Sequence, residues 1–209
     1  MPKVRSFFAL VVAVGCGHAP LGPVAVSQTV SLVTLRTPED FAFIKDRDER
    51  AAAMFGEASR VMLHARCMNC HPAGDSPTQG DKMTLHDPPV TRGPNDRGVP
   101  AMECGSCHQD SNLELARVPG APKWQLAPRV MAWVGKTPTT LCEQLKDRTR
   151  NGDKSLDEIV EHAGHDPLVA WGWSPGQGRE AVPGTQAQFG ALLGAWAKEG
   201  AACPKERKR

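Results

Sequence analysis

Cys67-Met68-Asn69-Cys70-His71 and Cys104-Gly105-Ser106-Cys107-His108 are two copies of one pentad, C-x-x-C-H. That pattern is the attachment signature of a c-type haem. The two thiols add across the two vinyl groups of the porphyrin, and the histidine that follows offers a ring nitrogen to the iron as proximal ligand. The spacing meets a geometric demand: two thioethers must reach two fixed points on one macrocycle edge, and the chain must then turn beneath the ring. Cys67, Cys70, Cys104 and Cys107 are therefore the expected covalent haem c attachments, with His71 and His108 as proximal iron ligands. Paired C-x-x-C also occurs in zinc sites, so a zinc-stabilised binding module stands as an alternative. It leaves both trailing histidines unexplained in a chain where His is 7 of 209 residues.

Working outward, the segment that enters the first pentad carries Met54, Phe55, Ala58, Val61, Met62 and Ala65 at the spacing of one apolar helix face. Met54 and Met62 read as core rather than as iron ligands, and His64 reads as exposed. Upstream, Thr37-Pro38-Glu39-Asp40 is a helix start, with a capping threonine, proline in the first turn and two acids facing the dipole. Between the pentads, residues 72–103 are too rich in Pro and Gly for regular helix. A ligand from this loop to a haem would hold it, and His86 is the leading distal candidate, with Met83 and Met102 behind it. Arg92 and Arg97 are candidate propionate partners, although an exposed arginine is the default.

Downstream, residues 126–134 are apolar and contain Met131, a second distal candidate because Met/His ligation is common in cytochromes c. It competes with simple gap filling in a core. Residues 140–150 read as a helix stopped by Asn151-Gly152. Ser155-Leu156-Asp157-Glu158 is a capping box, and Leu156, Ile159, Val160 and Ala163 form the apolar face that follows. His162 lies at the margin of that face and is the third distal candidate, while His165 points nearly opposite. Trp171 and Trp173 sit in a loop (166–184) where they either cover a haem or pack in the core. Thr185 to Gln188 is another capping box, and its helix runs through Phe189, Leu192, Leu193 and Trp196 to a stop at Gly200.

Residues 1–15 have the build of an export signal: Lys3 and Arg5, then a short apolar run. Ala13-Val14-Gly15-Cys16 resembles a bacterial lipobox, which makes Cys16 a candidate lipidation site and membrane anchor. Residues 16–36 read as a tether with a candidate strand near 29–35. The expected organisation is export signal 1–15, tether 16–36, dihaem domain 37–203 and basic tail 204–209. Cys142 and Cys203 remain after the other five cysteines are assigned. In an oxidising compartment they either pair or stay as two thiols, and pairing would stabilise the fold by about 4 kcal/mol. A net charge of +2 gives no sign of a nucleic-acid binder. No Tyr, with 20 Gly and 18 Pro, suits a chain whose loops rest on large flat cofactors.

The fold expected is mainly α: a small, loop-rich, cytochrome c-like dihaem domain with about four to five helices around two covalent haems. The stretches CMNCHPAGDSPTQGD, PGAPKWQLAPRVMAW, KDRTRNG and DPLVAWGWSPGQGREAVPG resemble a group of small bacterial dihaem proteins often labelled as subunits of isoquinoline 1-oxidoreductase. The resemblance spans residues 50–204 and implies two haems on the cysteines and histidines of the two pentads. No stretch resembles a molybdopterin or iron–sulfur domain, so oxidation of an organic substrate would belong to another polypeptide. The stretch between the pentads is too short for two complete cytochrome c domains in tandem, so one unit with both haems close together is expected. The function that follows is periplasmic electron transfer from a dehydrogenase donor to a cytochrome or oxidase acceptor. The alternative is a small haem enzyme, peroxidase-like or a sulfur-compound oxidase, with one open iron site.

Overall fold

A computed structural model of the chain describes residues 34–206. The export signal, Cys16, most of the tether and residues 207–209 lie outside the described residues. The described part is mainly helical, with two very short β-ladders. Its longer helices are α1 (Arg47–Met62), α4 (Pro138–Lys146), α5 (Leu156–His165) and α7 (Gln186–Lys198). Single-turn helices α2 (Ala65–Met68), α3 (Cys104–Cys107) and α6 (Pro167–Ala170) complete the set. Among the described residues no helix is long and apolar enough to cross a membrane.

Capping sets the helix limits. Ser155 and Thr185 close the two expected capping boxes, accepting from Glu158 N and Gln188 N. Thr137 does the same for α4, three residues before the expected start. The α4 helix ends at Lys146 rather than 150, because Asp147 re-caps the chain into a 3-10 turn (Arg148–Arg150). Asn151 is buried there, its amide donating to Leu145 O and Lys154 O. The start at Thr37 launches only a 3-10 turn (Pro38–Phe41). A second cap at Asp46 begins α1, and Arg50 fills the gap by donating to Ile44 O at 2.6 Å. Residues 34 and 35 are not in a strand.

The core is the contact of α7 with α1 and α5, and of α1 with α4. Met54, Phe55, Val61, Met62, Leu141, Leu145, Leu192, Leu193 and Trp196 are buried there, which bears out the periodic faces and the core reading of Met54 and Met62. Helices α5 and α7 meet backbone to backbone at Gly164 and Gly190, where a Cβ on Gly190 would lie 2.7 Å from Gly164 Cα. A disulfide joins Cys142 to Cys203 with Cα atoms 5.6 Å apart, tying α4 to the chain that leaves α7.

Residues 72–103 contain no helix, as expected. They hold β1 (Thr78–Gln79) against β2 (Thr84–Leu85), and β3 (Gly98–Val99) against β4 (Met102–Glu103), both antiparallel. Arg92 corrects its default: it is buried, 6% exposed, and fans out to Asp96, to Ala127 O at 2.8 Å and to Gly74 O at 3.3 Å. The loop is thus strutted by an internal guanidinium. Arg97 is exposed and donates to Gln125.

Candidate functional site: two cysteine–histidine pentads

At the first pentad, α1 ends at Leu63 and the chain restarts in α2, which carries Cys67. His64 is half-buried rather than exposed, and its Nδ1 accepts from Arg66 N to cap α2. Cys67 and Met68 pack against the core. The apolar run 126–134 lies alongside: Ala127 N donates to Cys70 O and Trp133 N to His71 O, each at 3.0 Å. His71 Nδ1 lies 2.7 Å from Met131 O, and its ring stacks on Trp133 with centres 3.4 Å apart and planes 11° from parallel. Met131 therefore meets this histidine through its carbonyl. Its buried side chain is in the core, with the sulfur beside Gly152.

The second pentad repeats the arrangement with different parts. His108 N donates to Cys104 O at 2.9 Å. His108 Nδ1 lies 2.7 Å from Pro119 O, and the ring stacks on Trp124 at 4.5 Å and 10°. Gly120 makes this turn feasible, because a Cβ there would strike Ser111 O and Gln109 O at 2.2 and 2.5 Å. Asn112 staples the region: its Oδ1 accepts from Gly120 N and Trp171 Nε1, and its Nδ2 donates to Ser174 O. Trp171 then meets Trp124 edge to face at 5.0 Å, and the buried Arg66 guanidinium of the first pentad's helix lies 5.9 Å over Trp171. The two tryptophans of residues 166–184 thus divide. Trp171 belongs to the site, whereas Trp173 packs on Phe189 and donates to Pro183 O.

Burial pushes the Cys67 thiol up to about 12, with Cys70 adding to it. Burial likewise pushes Cys70 up to about 11, with Cys104 as the next cause, which puts the two pentads within electrostatic reach of each other. Burial drives the His71 pKa down to about 3 against the opposing pull of the Met131 carbonyl, with His162 and Arg92 lowering it further. Burial lowers His108 too, and His86 and Arg179 add to it. Both rings are neutral near pH 7.

A carbonyl oxygen can only accept, so a neutral ring whose Nδ1 faces one carries its proton there and leaves Nε2 bare. His71 and His108 are in that state. His86 likewise turns Nδ1 toward a carbonyl, 2.8 Å from Pro88 O. His162 has Nδ1 3.1 Å from the Asp166 carboxylate. The histidines set aside from the sequence behave otherwise: His64 spends Nδ1 as an acceptor, and His165 turns Nε2 toward Glu161 at 3.8 Å. His86 also comes to His108, with ring centres 5.9 Å apart and planes at 68°. Among the described residues the aromatic ring against His71 is Trp133 alone. Met83 sits in a turn at φ 49°, and Met102 is exposed in β4.

The donors can be set against what zinc and haem would each require. A structural zinc needs a tetrahedral set of donors at one point, and among the described residues no three His, Cys, Asp or Glu side chains converge in that way. A haem brings its own equatorial nitrogens and asks the chain only for axial donors and two thiols at its edge. Single bare imidazole nitrogens, each beside a C-x-x-C pair of unpaired thiols, fit that need. Leu85, Met102, Leu113 and Leu115, near His86 and the second pentad in sequence, are exposed.

Trp124, Trp133, Asn112 and Arg66 were not among the residues expected to build the site. The available signal was weak: four of the five tryptophans fall outside the long helices, where periodicity says nothing about packing. Comparison with protein-family models, with curated proteins and with solved structures returns no match to this chain.

Proposed function

We propose that the chain is an exported electron-transfer protein with two covalently attached c-type haems, relaying electrons from a dehydrogenase to a downstream cytochrome or oxidase. The observation that carries this reading is the twin state of the pentad histidines. Each gives its Nδ1 proton to a main-chain carbonyl, lies flat against an indole and keeps Nε2 bare. Thioethers from Cys67 and Cys70, and from Cys104 and Cys107, would hold the two groups, with His71 and His108 as proximal ligands. When bound, haem supplies the one-electron chemistry of its iron. The chain contributes orientation and basicity. The carbonyls of Met131 and Pro119 fix the tautomer and make each imidazole a stronger donor, while Trp133, 8% exposed, keeps water from one face of His71. The reading includes attachment outside the cytoplasm and a candidate lipid anchor at Cys16. It assigns no catalytic residue.

The test is the intact mass and the reduced visible spectrum of the protein produced with a cytochrome c maturation system. Two haem adducts and low-spin bands are expected. One adduct or none overturns the reading.

A second reading, a small haem enzyme with an open iron, draws on one observation: among the described residues no second imidazole lies against His71 as His86 lies against His108. His162 on α5 is the candidate to fill that position, with its Nδ1 turned to the Asp166 carboxylate. Carbon monoxide uptake by the reduced protein decides. No uptake supports the carrier, and uptake at the first site supports the enzyme.

A further inference from the structure

We infer that His86 and His108 are the two axial ligands of one iron, that of the second pentad, so that the loop between the pentads closes the second site from the opposite side. The inference rests on the dihaem reading and deepens it. Two imidazoles on opposite sides of one metal, each with a metal–nitrogen bond of about 2 Å, have ring centres about 6 Å apart. Their planes are free to take any mutual angle about the shared axis. His86 and His108 stand 5.9 Å apart at 68°.

The hydrogen bonding agrees. Each ring places Nδ1 on a carbonyl of its own segment, Pro88 O for His86 and Pro119 O for His108. Among the described residues neither Nε2 has a hydrogen-bond partner, and no hydrogen bond joins the two rings. Two imidazoles brought together, each with Nδ1 turned to a carbonyl and Nε2 without a partner, make the arrangement that a shared metal requires.

The placement of His86 is built rather than incidental. It follows β2, and its own N–H donates to Pro77 O, which locks the histidine to the end of the β1–β2 ladder. That ladder is pinned to the first pentad. Asn69, the residue before Cys70, accepts from Thr78 Oγ1 at 2.7 Å through its side chain, and its amide donates to Gly80 O at 3.0 Å. The first pentad thus positions the strand pair whose histidine serves the second. Asn69 is a positioning residue in this scheme.

The holoprotein and its His86→Ala, His86→Met and His165→Ala variants test this by intact mass, electron paramagnetic resonance, redox titration and carbon monoxide binding. In His86→Ala the mass is expected to keep two haem adducts, while one iron turns high-spin and the reduced protein takes up about one more carbon monoxide per chain than wild type. Added imidazole should return that iron to low spin. His86→Met is expected to stay low-spin with one potential raised, as Met/His ligation dictates, and His165→Ala should match wild type. Two adducts in His86→Ala, with both irons still low-spin and both potentials unchanged, would overturn the pairing while leaving the dihaem reading intact. A wild-type mass without two adducts defeats that reading and the pairing with it.

Discussion

The two pentads have the same pattern and different foundations. Around Cys67 and Cys70 the chain is welded to the hydrophobic core: Cys67 and Met68 pack on it, and Met131 and Trp133, which hold His71, are members of it. Around Cys104 and Cys107 nothing belongs to that core. No residue of α3 is buried, and the region is held by hydrogen bonds, chiefly those of Asn112, Gly120 and the Pro119 carbonyl. The same histidine geometry is therefore reached once by apolar packing and once by polar stapling. The first foundation draws on burial at about 25 cal/mol per Å². The second depends on individual bonds each worth about 1 kcal/mol net, and on whatever covers its exposed leucines.

The harshest way to break the contrast is to remove the indoles. Trp133→Ala in the holoprotein is expected to cost about 3–5 kcal/mol of stability, the range for a buried Trp→Ala. Trp124→Ala, at a half-buried position, should cost less than half as much, read by denaturant unfolding. Equal losses would mean that the second site is as much a part of the core as the first. Asn112→Ala sharpens the comparison from the other side. It deletes partners of Gly120, Trp171 and Ser174, with an expected loss of about 1–3 kcal/mol. Under the proposed dihaem function, it should perturb the spectrum of the second iron and leave the first unchanged.

The smallest effect concerns pH. Glu57 in α1 is 5% exposed. Burial alone would push its carboxyl up, but the Arg36 N–H and the Arg60 and Arg36 guanidiniums outweigh burial and hold it below the usual carboxylate range. A depressed folded pKa stabilises the fold above the unfolded value of about 4.3 and loses that stabilisation as pH falls through the folded value. Glu57→Gln should therefore flatten the acid limb of the melting temperature against pH. Both pentads should respond alike, because Glu57 anchors the frame beneath α1 and touches neither of them.

Much of the helical half was legible. Periodic apolar positions and the boxes at Ser155 and Thr185 report local physics, and local physics decided those helices. The C-x-x-C-H spacing likewise singled out His71 and His108, which the structure sets against indoles and main-chain carbonyls in matching fashion. Thr37 misled because a good cap cannot extend a helix when Arg50 ties the following carbonyls elsewhere. Arg92 and Asn112 were illegible for another reason. Each earns its place by bonding to main-chain atoms distant in sequence, Arg92 at 74 and 127, Asn112 at 174, and no pattern of residue types announces such a partner. Met131 was half legible: its segment does meet the first pentad, but through an oxygen that every residue carries.

That oxygen has a consequence for inheritance. The acceptors that hold His71 and His108 are main-chain carbonyls at positions 131 and 119. No side-chain replacement at either position can delete them, so the histidines keep their tautomer whatever residue stands at 119, or any residue at 131 that still fills the core. What cannot drift is chain length. A single insertion or deletion between a pentad and its acceptor would present a different carbonyl, or none. The site is tolerant of spelling and intolerant of count.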